Sequence, residues 1–193
     1  CGCNQTGKFI NADLGSTLDQ LHAFNGNVLM SKITPGKSEV DIGGAAVLKN
    51  YKLIGWLTKR ETQGANFFLG NIRGGDIALH DKKGRGHITF IITGQNRNFK
   101  LVSTDDIPQF SLKVTVEGNL ADTTEGNVIS SKELKKIEKK VSSEIKSEIQ
   151  AAINKTQKVY RTDVLRICDY MHKFHPKIWK NYKKDWEQIF PEV

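Results

Sequence analysis

The sequence predicts an α+β fold in which an antiparallel β-sheet packs against a C-terminal helical layer led by one long amphipathic helix. Two patterns favour this class. Apolar and polar residues alternate from Phe110 to Leu120, as they do in a strand with one buried and one solvated face. From Leu134 to Ile153 the apolar residues instead recur every three or four positions, and Tyr160 follows on the same side two turns later. That stripe predicts a helix of about 30 residues, roughly 45 Å long.

A hairpin is predicted near the start of the domain. Residues 1–36 show little pattern beyond three leucines at helical spacing, so they are assigned to an N-terminal extension or linker, and the domain spans residues 37–193. A period of two then begins, and the polar corner at residues 49–52 separates it from a second strand that ends at Leu57. The residues expected to share one face of the first strand are Val40, Ile42, Gly44, Ala46 and Leu48.

Two capping boxes mark helix starts. Thr58 is followed three residues later by Glu61, which predicts a helix from about residue 59 that Gly70 ends. Ser130 and Glu133 have the same spacing at the start of the long helical stripe.

Two strands are predicted between these helices, at residues 77–80 and 87–93, with a turn at 81–86. A short strand at 99–102 follows. Alternation places Ile88, Phe90 and Ile92 on one side of the second strand.

Shorter helices are expected after the long one. Thr162 is expected to cap a helix, and Pro176 is expected to begin another that Pro191 closes. An aromatic stripe follows one side of the last helix, and Trp186 within it is predicted to be buried. The stripe consists of Trp179, Tyr182, Trp186 and Phe190.

The composition excludes several classes of protein. The chain has 193 residues, 38% of them hydrophobic, which is typical of globular domains and not of disordered chains. Three cysteines are too few for a disulfide-dense scaffold, and no window approaches the ~20 apolar residues of a membrane-spanning helix. The net charge is +8, and residues 130–193 carry 15 Lys and Arg against nine Asp and Glu. This excess suits an anionic partner or surface.

The Lys-rich helix has two interpretations. Eight lysines and four glutamates lie between Lys132 and Lys158, and such charge can contact nucleic-acid phosphates. However, no arginine lies in this stretch and no aromatic residue is interleaved with the lysines. The favoured interpretation is therefore the solvated face of a packed helix, with a basic nucleic-acid-binding domain as the alternative.

No catalytic or cofactor motif is present in the sequence. Cys168, His172 and His175 share one helical face, but a fourth zinc ligand is lacking, so we expect no metal there. The glycine pairs near Arg73 and Arg85 precede strands instead of helices and do not predict a phosphate loop. No catalytic residue and no cofactor are assigned.

The cysteines at the N-terminus are compatible with two interpretations. Cys3 or Cys1 is the position at which a bacterial lipoprotein would carry its lipid, and both are also compatible with ordinary cysteines at a loose chain end.

Four segments together resemble the C subunit of the nutrient germinant receptors of spore-forming bacteria. Taken in order, the motifs are specific, and the resemblance covers residues 28–193. The segments are IGGAAVLKNYKLIGWLTKRETQGANFFLG (42–70), LKVTVEGNLAD (112–122), EIQAAINKTQKVYRTDVL (148–165) and HPKIWKNYKKDWEQIFPEV (175–193).

The resemblance implies a non-enzymatic subunit that supports nutrient-triggered germination. Members of this family are lipoproteins on the outer face of the inner spore membrane, where they act beside a multi-pass A subunit and a transporter-like B subunit. They usually have two further domains before this one and a strand after the Phe-Pro-Glu motif. The chain is therefore expected to be a short relative or an excised C-terminal domain. The resemblance identifies neither the germinant nor the face that contacts the partners.

Overall fold

The α+β class is confirmed by the structure, a computed structural model that describes residues 7–36, 39–80, 87–122 and 130–193. The strands are β1 (Val28–Pro35), β2 (Val40–Lys49), β3 (Lys52–Leu57), β4 (Gly75–His80), β5 (His87–Ser103) and β6 (Gln109–Asp122). The helices are α1 (Leu14–Ala23), α2 (Lys59–Leu69), α3 (Ser131–Asn154), α4 (Ile167–Phe174), α5 (Pro176–Tyr182) and α6 (Trp186–Ile189).

The strands form two antiparallel sheets, where the sequence predicted one. The first has the order β1-β2-β3 and the second the order β4-β5-β6. The short strand predicted at 99–102 is part of β5. This strand pairs with β6 from Thr89 opposite Asp122 to Ser103 opposite Gln109. This long two-stranded ribbon spans the molecule and contributes to both hydrophobic cores. The turn predicted at 81–86 lies outside the described residues.

The predicted hairpin of β2 and β3 is present. Asn50 and Tyr51 in the corner both have positive φ, at 50° and 63°, as a two-residue hairpin turn requires. The core cluster takes Ala45 and Val47, which alternate with the predicted residues. Val40, at the start of β2, is exposed.

Both capping boxes form as predicted. Thr58 and Glu61 exchange side-chain and backbone hydrogen bonds at the start of α2, and Gly70 ends that helix with φ 79°. Ser130 and Glu133 do the same for α3. Each box satisfies amide groups that the first helical turn leaves unpaired, a contribution of about 1 kcal/mol.

The long helix changes its winding before it ends. α3 covers 24 residues and passes into a π-helical turn, Lys155–Val159. The Thr156 hydroxyl donates to the carbonyl oxygens of Ala152 (2.9 Å) and Ile153 (3.1 Å). This local bonding competes with the regular helical pattern. The wider turn positions Tyr160 against β3.

The core consists of two clusters that share α3. The first gathers the inner face of the first sheet, α2 and the C-terminal helices; the second lies under β4 and β5. Ile145 in the second cluster is 7% exposed, as its place in the stripe predicted. Ile149 packs against both clusters, so the middle of α3 connects the two halves of the core.

Residues assigned to the N-terminal extension also contribute structure. β1 pairs with β2, and this strand had no clear pattern in the sequence. The buried Asn66 amide donates to the carbonyl oxygens of Gly7 and Phe9, at 2.8 Å each, and so ties the preceding segment to α2. The domain boundary at residue 36 stays a prediction.

The C-terminal helices differ from the prediction in two places. The N-cap position of α4 is Arg166 and not Thr162, and the carboxylate of Asp163 accepts from the first amides of the helix, those of Ile167 (3.0 Å) and Cys168 (2.7 Å). The predicted single aromatic helix is split into α5 and α6 between Lys183 and Asp185. Pro191 lies within a final 3-10 turn, Phe190–Glu192.

Candidate docking surface

An apolar groove separates β6 from α3 and has a volume of about 1060 Å³. The apolar side chains of β6 that face it are only half-buried, so the dry face of this strand is incompletely covered. The β6 wall presents Leu112, Val114, Val116 and Leu120, and the α3 wall presents Leu134, Ile137, Val141, Ile145 and Ile149. An open apolar groove of this kind is a common feature of binding surfaces.

The groove reaches the free edge of the second sheet. β6 pairs with β5 alone among the described strands, so no described strand pairs with the amide and carbonyl groups of its other edge. Residues from both faces of β6 line the groove, Val116 from the dry face and Glu117 from the wet one. An unpaired strand edge readily accepts another strand.

The rim of the groove is electrically balanced. Lys113 and Glu117 flank it on β6, and Glu138 and Lys146 flank it on α3. Two positive and two negative charges favour a neutral, apolar occupant over a polyanion.

The lysines of α3 lie on its outer side, away from the core. Lys132, Lys135, Lys139 and Lys140 are all exposed. This placement matches the solvated face that the sequence favoured. Nucleic-acid binding stays an untested alternative.

The three candidate metal ligands are not brought together. Cys168 and His172 line a smaller cavity of about 410 Å³, whereas the His175 Nε2 atom lies 3.3 Å from the Tyr170 hydroxyl. Burial and the neighbouring Asp163 carboxylate raise the pKa of the Cys168 thiol, which therefore stays protonated. Within the described part of the chain, no group of three His, Cys, Asp or Glu side chains is arranged to hold a metal ion.

The aromatic tail is anchored on a residue that the sequence patterns did not reveal. Besides its two helix amides, the Asp163 carboxylate accepts a hydrogen bond from Trp186 Nε1 at 3.0 Å. Trp186 is 7% exposed, which confirms its predicted burial. Burial raises the pKa of Asp163, and the hydrogen bonds from Cys168, Ile167 and Trp186 oppose that rise. The adjacent Thr162 was an equally good capping residue by type, so only the chain path distinguishes the two.

No described helix is both long enough and apolar enough to cross a membrane.

Comparison with known proteins places the chain in a family. The family model described as "Spore germination B3/ GerAC like, C-terminal" matches residues 43–193, which is most of the chain. The chain belongs to this family. It is a germinant-receptor C-subunit-like domain from a family involved in spore germination, and that family is not known as one of enzymes.

Individual relatives agree with this assignment. The chain is 31% identical to spore germination protein B3 of Bacillus subtilis (strain 168) over 82% of its own length and 42% of the relative's. It is 26% identical to spore germination protein YndF of the same organism, over 93% of this chain and 45% of that protein. The chain thus spans less than half the length of the curated relatives it matches.

The fold agrees with a solved structure. A crystal structure of the GerBC protein superposes with a TM-score of 0.82 at 26% identity, covering 95% of this chain and 58% of that one. The groove and the exposed edge of β6 therefore belong to a spore-germination domain. The sequence predicted no catalytic residues in this domain.

Proposed function

We propose that this domain acts without catalysis, as part of a spore germinant receptor, and that it supports nutrient-triggered germination by docking to the A and B subunits at the inner spore membrane. The observation that carries the proposal is the groove between β6 and α3 together with the unpaired edge of β6. Family membership supplies the setting.

The groove sets the chemistry of its occupant. Strand addition to β6 would satisfy the free backbone groups of that edge, and every second side chain of the added strand would enter the groove. The apolar walls and the balanced rim select apolar residues at those alternate positions. The proposed occupant is therefore an extended segment of a partner subunit, apolar at every second residue.

Location at the outer face of the membrane is part of the proposal. A lipid on Cys3 or Cys1 would supply the anchor, and the net charge of +8 would attract anionic headgroups. One acyl chain gives only marginal membrane binding, so a basic surface adds the second contribution that stable attachment needs. Both cysteines lie outside the described residues.

The docking proposal is tested with a charge placed in the groove. Val116→Arg puts a cation on the dry face of β6, and Thr115→Arg, the matched control, puts it on the exposed face one residue away. We expect Val116→Arg in the complete subunit to reduce co-purification with the A and B subunits at least tenfold and to slow nutrient-triggered germination. Thr115→Arg is expected to leave both unchanged.

Thermal unfolding of both variants separates docking from folding. The proposal requires Val116→Arg to retain a cooperative transition. Equal recovery of the partner subunits with either variant would contradict docking through the groove.

The anchor is tested separately in the complete precursor. We expect mass spectrometry of the membrane-extracted protein to find an acylated cysteine, and Cys→Ser at that position to release the protein into the soluble fraction. An unmodified mass for Cys1 and Cys3 in membrane-bound protein would contradict lipid attachment.

A further inference from the structure

Helices α2 and α3 cross at very close range. Gly64 lies at the crossing, and a Cβ atom at this position would lie 2.0 Å from the backbone oxygen of Glu148. Thr62, Ala65 and Phe68 of α2 are buried around it. The two backbones are therefore in direct contact, and a small change at this point moves one helix against the other.

A carboxyl group is enclosed at this crossing. Glu148 is 6% exposed, and its Oε2 atom has no hydrogen-bond partner among the described residues. In the same part of the chain, the hydroxyl of Thr62, fully buried on α2, also has no hydrogen-bond partner. An ionised carboxylate that is buried with an unsatisfied oxygen is costly, whereas the protonated acid is tolerated.

Among the described residues, the two cations whose charge acts on Glu148 each pair with another carboxylate. Arg60 on α2 pairs with Glu144 of α3 at 2.8 Å, and Lys8 in the N-terminal segment pairs with Asp76 of β4 at 3.0 Å. Counted over the described ranges, the crossing contains three carboxyl groups and two cations, and both cations are engaged with Glu144 and Asp76. Burial, and then the charge of Glu144, raise the pKa of Glu148 to about 7, while Arg60 and Lys8 act in the opposite direction.

We propose that the α2–α3 crossing is a proton-operated latch, closed while Glu148 carries a proton and loosened when the proton leaves. Ionisation places a negative charge beside Glu144 and Asp76 in a space closed by the Gly64 contact. The charge is relieved by admitting water, which requires the helices to separate slightly. The next residue, Ile149, packs against both core clusters, so the loosening is centred where the two clusters meet.

Hydrogen–deuterium exchange of the protein between pH 5.5 and pH 8.5 tests the latch. After correction for intrinsic exchange rates, we expect protection of peptides covering α2 and the middle of α3 to fall about tenfold as the pH rises through 7. Peptides from the β1–β2 pair serve as the internal reference and should change less. The measurement needs no partner subunit, so its outcome leaves the docking proposal unaffected.

Two variants identify the group responsible. Glu148→Gln keeps the shape and removes the ionisation, so its protection should be independent of pH. Glu144→Gln removes a charge that raises the pKa of Glu148 and releases Arg60, so the midpoint should move to lower pH. If Glu148→Gln does not fold, the shift of the pH midpoint in Glu144→Gln is the test of the latch. A wild-type profile that is flat with pH, a transition that persists in Glu148→Gln, or an unchanged midpoint in Glu144→Gln would each overturn the latch.

Discussion

The Tyr160 hydroxyl pairs with both backbone groups of Trp56. It donates to the Trp56 carbonyl oxygen at 2.8 Å and accepts from the Trp56 amide at 2.9 Å. β3 is an edge strand of the first sheet. A side chain from the end of the long helix therefore provides the hydrogen bonds to its backbone that a neighbouring strand would otherwise provide. The contact explains why position 55 is a glycine. A Cβ atom there would lie 2.4 Å from the Tyr160 hydroxyl.

Removing this hydroxyl tests its contribution to stability. We expect Tyr160→Phe to lower the free energy of unfolding by about 1–2 kcal/mol, because two hydrogen bonds are lost while the ring remains. Urea denaturation measures the change. Tyr182→Phe is the control, since the Tyr182 hydroxyl makes a single exposed bond to the Thr104 carbonyl oxygen at 3.1 Å. Equal losses in the two variants would mean that the Trp56 pairing adds nothing.

Patterns that act over a few residues predicted structure well in this chain. Both capping boxes, at Thr58 and Ser130, and the corner at Asn50 formed where the sequence indicated. Each depends on hydrogen bonds or dihedral angles within about four residues. The period of β6 was equally clear, because one of its faces is solvated along its whole length.

Features that depend on distant packing were not predictable. The division into two sheets, the buried face of β2 at Ala45 and the pairing of β1 all depend on which segments meet in space. The π-helical turn Lys155–Val159 buries two polar residues, Thr156 and Gln157, so the apolar pattern could not reveal it. The alternating pattern of β6 predicted the apolar wall that this strand gives to the groove. It did not predict that the groove would open between β6 and α3. Glu148 was overlooked because a glutamate on a Lys-rich helix normally faces water.

The helix crossing predicts that a single methyl group is severely destabilising. Gly64→Ala would place a Cβ atom 2.0 Å from a backbone oxygen that cannot turn aside, so the helices must separate. We expect a loss of about 3 kcal/mol or more, measured by thermal unfolding. At Gly94 a Cβ atom would meet nothing closer than the Glu117 side-chain oxygen at 3.9 Å, so Gly94→Ala should change stability by less than about 1 kcal/mol. If Gly64→Ala lowers stability by less than about 1 kcal/mol, the helices must be farther apart than in this structure.

Glu148 also predicts how stability depends on pH. Its pKa of about 7 in the folded protein lies above the ordinary value of 4.5, so the folded state binds more protons than the unfolded state between these values. The free energy of unfolding should therefore fall as the pH rises from about 4.5 to 7, by up to about 3 kcal/mol, and the loss should then level off. Asp163 contributes with the same sign, because its pKa is also raised.

The comparison of wild type with Glu148→Gln isolates this contribution. The stability difference between pH 5 and pH 8 should be smaller in the variant by about 2–3 kcal/mol, measured by urea denaturation at each pH. A difference of the same size in both proteins would assign the pH dependence to other groups, Asp163 first among them.

The stripe of α3 predicts unequal effects along one helix. Ile145 is 7% exposed in the second core cluster, so Ile145→Ala should cost about 2–5 kcal/mol through lost burial and the cavity it leaves. Leu134, three turns earlier in the same stripe, is 43% exposed at the end of the groove. Leu134→Ala should cost less than about 1 kcal/mol in the isolated domain. Chemical denaturation of both variants checks the pair, and equal costs would contradict the observed end of core packing along α3.

The aromatic tail predicts a specific fluorescence response. Trp186 lies between Trp179, at a ring distance of 5.3 Å, and Phe190, at 6.0 Å. In a Trp56→Phe, Trp179→Phe background Trp186 is the only tryptophan, and its emission should be blue-shifted and protected from iodide relative to the unfolded chain. Asp163→Ala removes the acceptor of the indole N–H and the cap of α4 together, so the emission should shift to the red and quenching should increase. Asp185→Ala is the control, because the Asp185 side chain makes no capping hydrogen bond at α6. If Asp163→Ala leaves the spectrum and quenching unchanged, another contact must hold the tail against the domain.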